Sequence, residues 1–497
     1  MSANGQFESI VSMVLNAIIR KVSVFAAFVL TVALLMPNPV SAGTIQGQWL
    51  YSFASLTSSG AYIWTPPTNA PYLNKLFFVQ NGKATYVKTS RDSLSRSWWA
   101  KAYGTVFSGA GGMQAWGSYV MPGMAGESNS WPSAGSGSAV WILQGATSKR
   151  ISFSASSAGV YAPIGMSAGH AYWIESTSFN APESFLMHAS ATQGPTVIPN
   201  NAALAAWGSY SVANAYDAGN GTVLVPDGNG AEGCAQRLTI LNPTGANRAP
   251  ECAPVNPWWQ GYISFGGRVI GPSGLVYDNG AVSKWVPTDA GGHELSVLNQ
   301  PVVAGSEVFF FAKRGEGAPA ELYAWNGVTN RLVSQLGFDP LNLEGLPMAF
   351  IGNRPYILTI PPCSVNCEKN RVAEIYDLGS NPPVRVATGT VGWANYYDIP
   401  SYPYCVACMP RVGFTSFKGQ LYFSKLGSSG VEIYRWNPKT RKTTLFKNVR
   451  AGSKSSFPDG FAVIGSWMYF FADSNGKKGP ELWATNGTAL KKLLEGQ

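Results

Sequence analysis

The feature that most restricts the fold of this 497-residue chain is a repeat of about fifty residues in its carboxy-terminal half. Val302-Val-Ala-Gly-Ser-Glu-Val-Phe-Phe-Phe-Ala runs into Glu321-Leu322-Tyr323-Ala-Trp-Asn326-Gly327-Val328. Phe457 to Ala472, with its own Met468-Tyr-Phe-Phe-Ala, runs into Glu481-Leu482-Trp483-Ala-Thr-Asn486-Gly487-Thr488. Both copies read as a strand, a glycine turn, an aromatic strand, a polar loop, Glu-apolar-aromatic, a turn and a last strand. Val431-Glu432-Ile433-Tyr434 and Ala373-Glu374-Ile375-Tyr376 repeat the pattern, and Glu321, Glu374, Glu432 and Glu481 are spaced by 53, 58 and 49 residues. Weaker copies end in turns near Gly82, Gly145, Gly194 and Gly280, which brings the turns to eight.

A period near fifty with several short strands per unit marks a β-propeller, whose blades bury their faces against one another. The expected fold is therefore all-β: a single propeller of seven or eight four-stranded blades over 43–497, with a diverged blade or insertion at about 200–257. Two β-sandwich domains are the alternative. The Asn-Gly turns read as two-residue hairpins of the I′ type, which need φ > 0 at both central residues. A strand near Gln46 to Phe53 is expected to complete the last blade and remove its exposed edge.

Glu481-Leu482-Trp483-Ala484-Thr485-Asn486-Gly487-Thr488 resembles the Glu-Leu-Trp-x-x-Asp-Gly-Thr repeat of a group of secreted bacterial proteins, with Asn486 in place of the Asp. The resemblance covers about the last 200 residues and implies an extracellular propeller-like array.

The amino terminus agrees with export. Arg20 and Lys21 precede an uncharged run, Val22 to Met36, and Val40 and Ala42 fit the small-residue cleavage rule, so 1–42 reads as a signal peptide. No later run is long and apolar enough to span a bilayer, and the mature chain is expected in the periplasm, envelope or medium, as a monomer. Six cysteines in an oxidising compartment favour disulfides over zinc. The expected pairs are Cys234 with Cys252, Cys363 with Cys367 and Cys405 with Cys408, and no cofactor or metal is expected.

Only 12% of residues are charged, yet the net charge is +9, and 411–497 alone holds fourteen Lys and Arg against five Asp and Glu. The densest piece is Arg435, Lys439, Arg441, Lys442, Lys447 and Arg450, interleaved with Trp436 and Phe446. Such a patch attracts anionic polymers. The functional expectation is an exported propeller that binds a glycan or another anionic cell-surface component, without nucleic acid. A polysaccharide-acting hydrolase or lyase with its site in the central channel, or a structural envelope protein, are the alternatives.

No catalytic residue is assigned. The repeated glutamates hold equivalent places in successive blades, so symmetry keeps them apart and points to blade packing or loop anchoring. Gly165-Met166-Ser167-Ala168-Gly169 matches the nucleophile-elbow pattern, but the repeat places it in a strand-turn-strand hairpin and not the strand-to-helix turn that the chemistry needs. The three histidines, His170, His188 and His293, show no metal-ligand spacing. Trp98-Trp99, Trp131 and Trp258-Trp259 lie in loops and read as core plugs or sugar-stacking platforms.

Overall fold

Runs of aromatic and β-branched residues between glycine turns form antiparallel strands throughout the described chain. The computed structural model describes residues 52–56, 60–65, 75–89, 105–108, 114–117, 138–144, 146–154, 160–167, 170–176, 184–190, 193–198, 216–227, 237–252, 263–271, 274–298, 301–315, 317–336, 348–359, 370–393, 410–411, 413–476 and 481–495. The chain divides into Met1–Ser41 and Ala42–Gln497, and all described residues belong to the second unit. The leader and the loop tryptophans lie outside the described residues.

The described residues contain no helix. They form six four-stranded and two five-stranded antiparallel sheets, with two further two-stranded sheets. In chain order the first sheet covers 52–89, the second 160–197, the third 216–248, the fourth 263–284, the fifth 296–335, the sixth 348–411, the seventh 414–447 and the eighth 459–494. The two-stranded sheets, 105–117 and 138–154, fall between the first and second. The stretch that lacked a readable repeat holds the third sheet, whose last turn carries Pro243-Thr244 in place of Asn-Gly.

Side chains that alternate along each strand explain why the core strands are apolar at every position. In the fifth sheet Val308, Phe310, Tyr323 and Trp325 pack on the fourth sheet, against Ile263, Ile270 and Val276. Phe309, Phe311, Leu322 and Ala324, on the opposite face, pack on Ile357 and Leu378 of the sixth. The same division recurs further along: Leu421 and Phe423 of the seventh sheet face the sixth, and Tyr422 and Ile433 face the eighth. A strand covered on both faces tolerates no polar alternation, and each buried Phe adds about 1.5–3 kcal/mol. A pair of sandwiches would cover only one face of each sheet, so that alternative is set aside. Small antiparallel sheets stacked face to face in chain order are the architecture of a β-propeller.

The first and last sheets meet, by a different device from the one expected. Ser52–Leu56 pairs with Ala61–Thr65 in the first sheet, while the eighth sheet takes all four of its strands from 459–494. Among the described residues no amino-terminal strand joins the last sheet, and 46–51 of the expected strand lie outside them. Contact is made between faces: Val79 and Ala84 pack on Ala462, Ile464, Tyr469 and Phe471, and the Gly82 N–H donates to the Tyr469 hydroxyl at 2.8 Å. Gly82 has φ 65°, and a Cβ there would stand 2.7 Å from the Trp467 ring, so this corner requires glycine.

The repeated turns are of two kinds. Asn81-Gly82, Asn220-Gly221 and Asn279-Gly280 have φ > 0 at both residues, as the I′ reading requires. At 326–329 and 486–489 the loop has four residues, and only its glycine, Gly327 or Gly487, has φ > 0. There the Asn side chain forms the turn: Asn486 Oδ1 accepts from the Thr488 and Ala489 N–H groups (3.1 and 2.8 Å), and Asn326 Oδ1 from Val328 and Thr329 (both 2.9 Å). An Asp in that place would accept the same bonds.

Candidate functional site

Glu321 and Glu481 open the strands Glu321–Trp325 and Glu481–Thr485, while Glu374 and Glu432 lie within Asn370–Asp377 and Gly430–Asn437. Glu481 accepts from the Ser474 N–H and Oγ (2.9 and 2.7 Å), and Glu432 from the Val449 N–H (2.8 Å), the Arg450 N–H (3.3 Å) and Ser456 Oγ (2.7 Å). Glu374 takes the Tyr376 hydroxyl (2.6 Å) and the Arg385 guanidinium (2.5 Å), and these two partners hold its carboxyl below the usual range. Glu432 and Glu481 thus anchor loops, whereas Glu374 ties its own strand to the neighbouring one.

The basic stretch near the carboxy terminus does not form the expected surface. Trp436 is buried and stacks near Tyr356, with ring centroids 5.7 Å apart. Phe446 is half-buried edge-on against Tyr422, and the Arg435 guanidinium lies over its ring. Arg450 reaches inward to Asp473 (3.5 Å) and the Ser455 carbonyl (3.3 Å). Only Lys439, Arg441, Lys442 and Lys447 are exposed, and the last two belong to Lys442–Lys447, the edge strand of the seventh sheet. Other edge strands also carry exposed cations: Lys83, Arg248, Lys284, Arg331, and Lys491 with Lys492. Charge on an edge strand prevents pairing with another chain. Replacing both Lys442 and Lys447 with valine should therefore leave the thermal midpoint nearly unchanged and raise the aggregated fraction in size-exclusion chromatography. A gain confined to stability would contradict this reading.

Cys252 is disulfide-bonded, and the other five cysteines lie outside the described residues.

A charged cluster that the sequence did not signal spans the loop from fourth to fifth sheet and the Lys313-to-Glu321 loop of the fifth. Asp289 and His293 lie on either side of Gly291-Gly292, in a narrow loop closed by the Thr288 and Glu294 bridge. Asp289 Oδ1 accepts from the N–H groups of Gly291 (2.8 Å) and His293 (3.0 Å), and the His293 Nδ1 lies 3.2 Å from both carboxylate oxygens. Those bonds, led by the His293 N–H, hold the Asp289 carboxyl below its usual range. An ionised carboxylate only accepts, so Nδ1 carries a proton, and in the neutral ring the lone pair is on Nε2. The Asp289 side chain is 7% exposed and that of His293 75%, so the pair has one fixed end and one open end.

Arg314 joins this pair to the interior. Its Nε lies 3.6 Å from Asp289 Oδ2 and 3.1 Å from Glu321 Oε2, and donates to the Tyr323 hydroxyl at 3.2 Å. Tyr323 in turn donates to Glu321 at 2.5 Å, and burial together with that carboxylate pushes the phenol up to about 12. The tyrosine stays protonated and the half-exposed guanidinium stays charged, against the carboxylate that also holds His293. Chemically this is a base with its orienting carboxylate and an adjacent fixed cation.

No family model matches the chain, and no curated protein matches it. Among solved structures it is similar to the β-propeller domain of the Trilobed protease from Pyrococcus furiosus, with 11% identity over 78% of this chain and 93% of that one and a TM-score of 0.31. It is also similar to Pyrococcus horikoshii acylaminoacyl peptidase (10%, 81% and 54%, 0.31) and Porphyromonas gingivalis dipeptidyl peptidase 4 (8%, 83% and 56%, 0.34). The chain spans about half the length of these two peptidases. The expectation of a binding protein for glycans or anionic cell-surface components through the 435–450 patch is corrected on the chain's own structure. The physical reason is that the Trp436 ring is spent in the core and the half-buried Phe446 ring is covered by the Arg435 guanidinium.

Proposed function

We propose that this chain is a hydrolytic acid–base enzyme built on one closed β-propeller, with His293 as general base. The observation that supports it is the Asp289 and His293 pairing, which leaves Nε2 open to solvent, with Arg314 held against the same carboxylate. In the proposed step Nε2 takes a proton from water as the water oxygen bonds to the carbon of an ester or amide carbonyl. Arg314 faces the oxygen that gains negative charge, and the imidazolium returns its proton to the leaving group. Asp289 positions the ring and stabilises the imidazolium.

Hydrolysis of p-nitrophenyl acetate and a peptidyl p-nitroanilide panel tests this. His293→Ala should lower turnover by about 10²–10⁴-fold. Thermal unfolding should be unchanged, because the side chain is exposed. Equal turnover in the variant, or none in the wild type with any of these substrates, would overturn the assignment.

The blade count belongs to the same proposal. Thr105–Ser108 lies against Ser52–Leu56, and Gln114–Gly117 against Val160–Ser167. On our reading the two two-stranded sheets form one further blade, which makes nine and exceeds the seven or eight expected. Membership of the secreted Glu-Leu-Trp-x-x-Asp-Gly-Thr group, cleavage near Ala42 and the three short-range disulfides complete the proposal. Amino-terminal sequencing and non-reducing peptide mapping of the exported protein would test the last two.

A further inference from the structure

The nucleophile-elbow match and two of the three histidines converge on one face of the second sheet. Ser167 pairs with His170, His170 with Ser190, and Tyr172 with His188, so their side chains project to the same side. Gly165 stands opposite Tyr172 and places no side chain there. The His170 and His188 ring centroids are 5.8 Å apart at 41°, and His188 stacks on Tyr172. Ser167 is 1% and His188 3% exposed, while His170 is half-buried at the hairpin end.

Ser167 Oγ, His170 Nδ1 and His188 Nδ1 are all buried without a hydrogen-bond partner. The Tyr172 hydroxyl has no proton to give them, because it donates to the Gly221 carbonyl of the third sheet at 2.6 Å. An unsatisfied buried polar group costs about 1–3 kcal/mol, and native folds hold only a few per hundred residues. Three on one sheet face, two of them imidazole nitrogens, call for a shared partner.

We propose that His170 Nδ1 and His188 Nδ1, with Ser167 Oγ beside them, bind a divalent transition-metal ion of the zinc and copper class. Imidazole suits these ions, and with metal–nitrogen bonds of about 2.0–2.1 Å two rings on one ion sit with centroids about 5–6.5 Å apart. The observed 5.8 Å falls within that span. Among the described residues no group of three or more His, Cys, Asp and Glu gathers to hold a metal. The site is thus a two-imidazole site completed by the serine hydroxyl and water, and its metal exchanges.

The test uses the full untagged chain and Cu²⁺ alone, followed by electron paramagnetic resonance, with Zn²⁺ as competitor. The chain has only three histidines, which keeps the spectrum assignable. One copper per chain with hyperfine structure from two imidazole nitrogens, displaced by Zn²⁺, is expected. His170→Asn and His188→Asn should each weaken binding about tenfold or more and remove one nitrogen, and His293→Ala should retain both. Should His188→Asn fail to fold, the wild-type spectrum and half-buried His170→Asn still decide. A spectrum without two nitrogens, or one that persists in His170→Asn, would overturn the proposal.

Discussion

Replacing Glu432 with alanine is expected to destabilise the fold by about 3–5 kcal/mol, read as a lower urea midpoint with an unchanged slope. Its carboxylate has no exposure and accepts two backbone N–H groups and the Ser456 hydroxyl. Alanine would leave all three donors without an acceptor in a segment that carries the chain from the seventh sheet to the eighth. Burial, opposed by those donors, pushes the Glu432 carboxyl above its ordinary range. For a carboxyl raised in the folded state, its stabilising contribution is complete below the unfolded pKa, about 4.3, and is lost as pH rises through the folded value. The stability of wild type relative to Glu432→Gln should therefore fall with rising pH across that window. Urea unfolding of both proteins along a pH series checks the slope, and a difference that grew with pH would reverse the sign assigned here.

The repeat in the sequence located Glu432 without revealing what it holds. Equivalent position along the chain reports equivalent place in the sheet, but the partners come from loops that differ between sheets: the Arg314 side chain for Glu321, and backbone N–H groups for Glu432 and Glu481. Strand grammar was legible because two-face burial writes itself as unbroken apolar runs. The basic patch was misread for a related reason. Arg435 and Trp436 are neighbours in sequence, yet on a strand they project to opposite faces, so one reaches solvent and the other the core. His170 and His188 were invisible as a pair because their meeting depends on the register of a hairpin. That register is set by the Ser184–Ser190 strand, and no local spacing encodes it. The Asp289 and His293 pair had a faint local signal, an acid and a histidine four residues apart around Gly-Gly, which matters only once the loop closes tightly.

The packing of the first sheet on the eighth leads to the largest effect. Val79 has no exposure and packs on Tyr469 and Phe471, residues almost 400 positions away. A charge placed there would be buried without a partner, a cost of several kcal/mol, and among the described residues no backbone ladder joins the first and eighth sheets to absorb it. Val79→Asp should abolish the cooperative unfolding transition or lower its midpoint more than any surface change. Val303→Asp, at a position 36% exposed in the fifth sheet, should stay within about 0.5 kcal/mol of wild type. Circular dichroism melts of the two variants separate the cases. If both behaved alike, the contact between first and last sheets would contribute no more than an ordinary surface position, and a ring closed by packing alone would have to be abandoned.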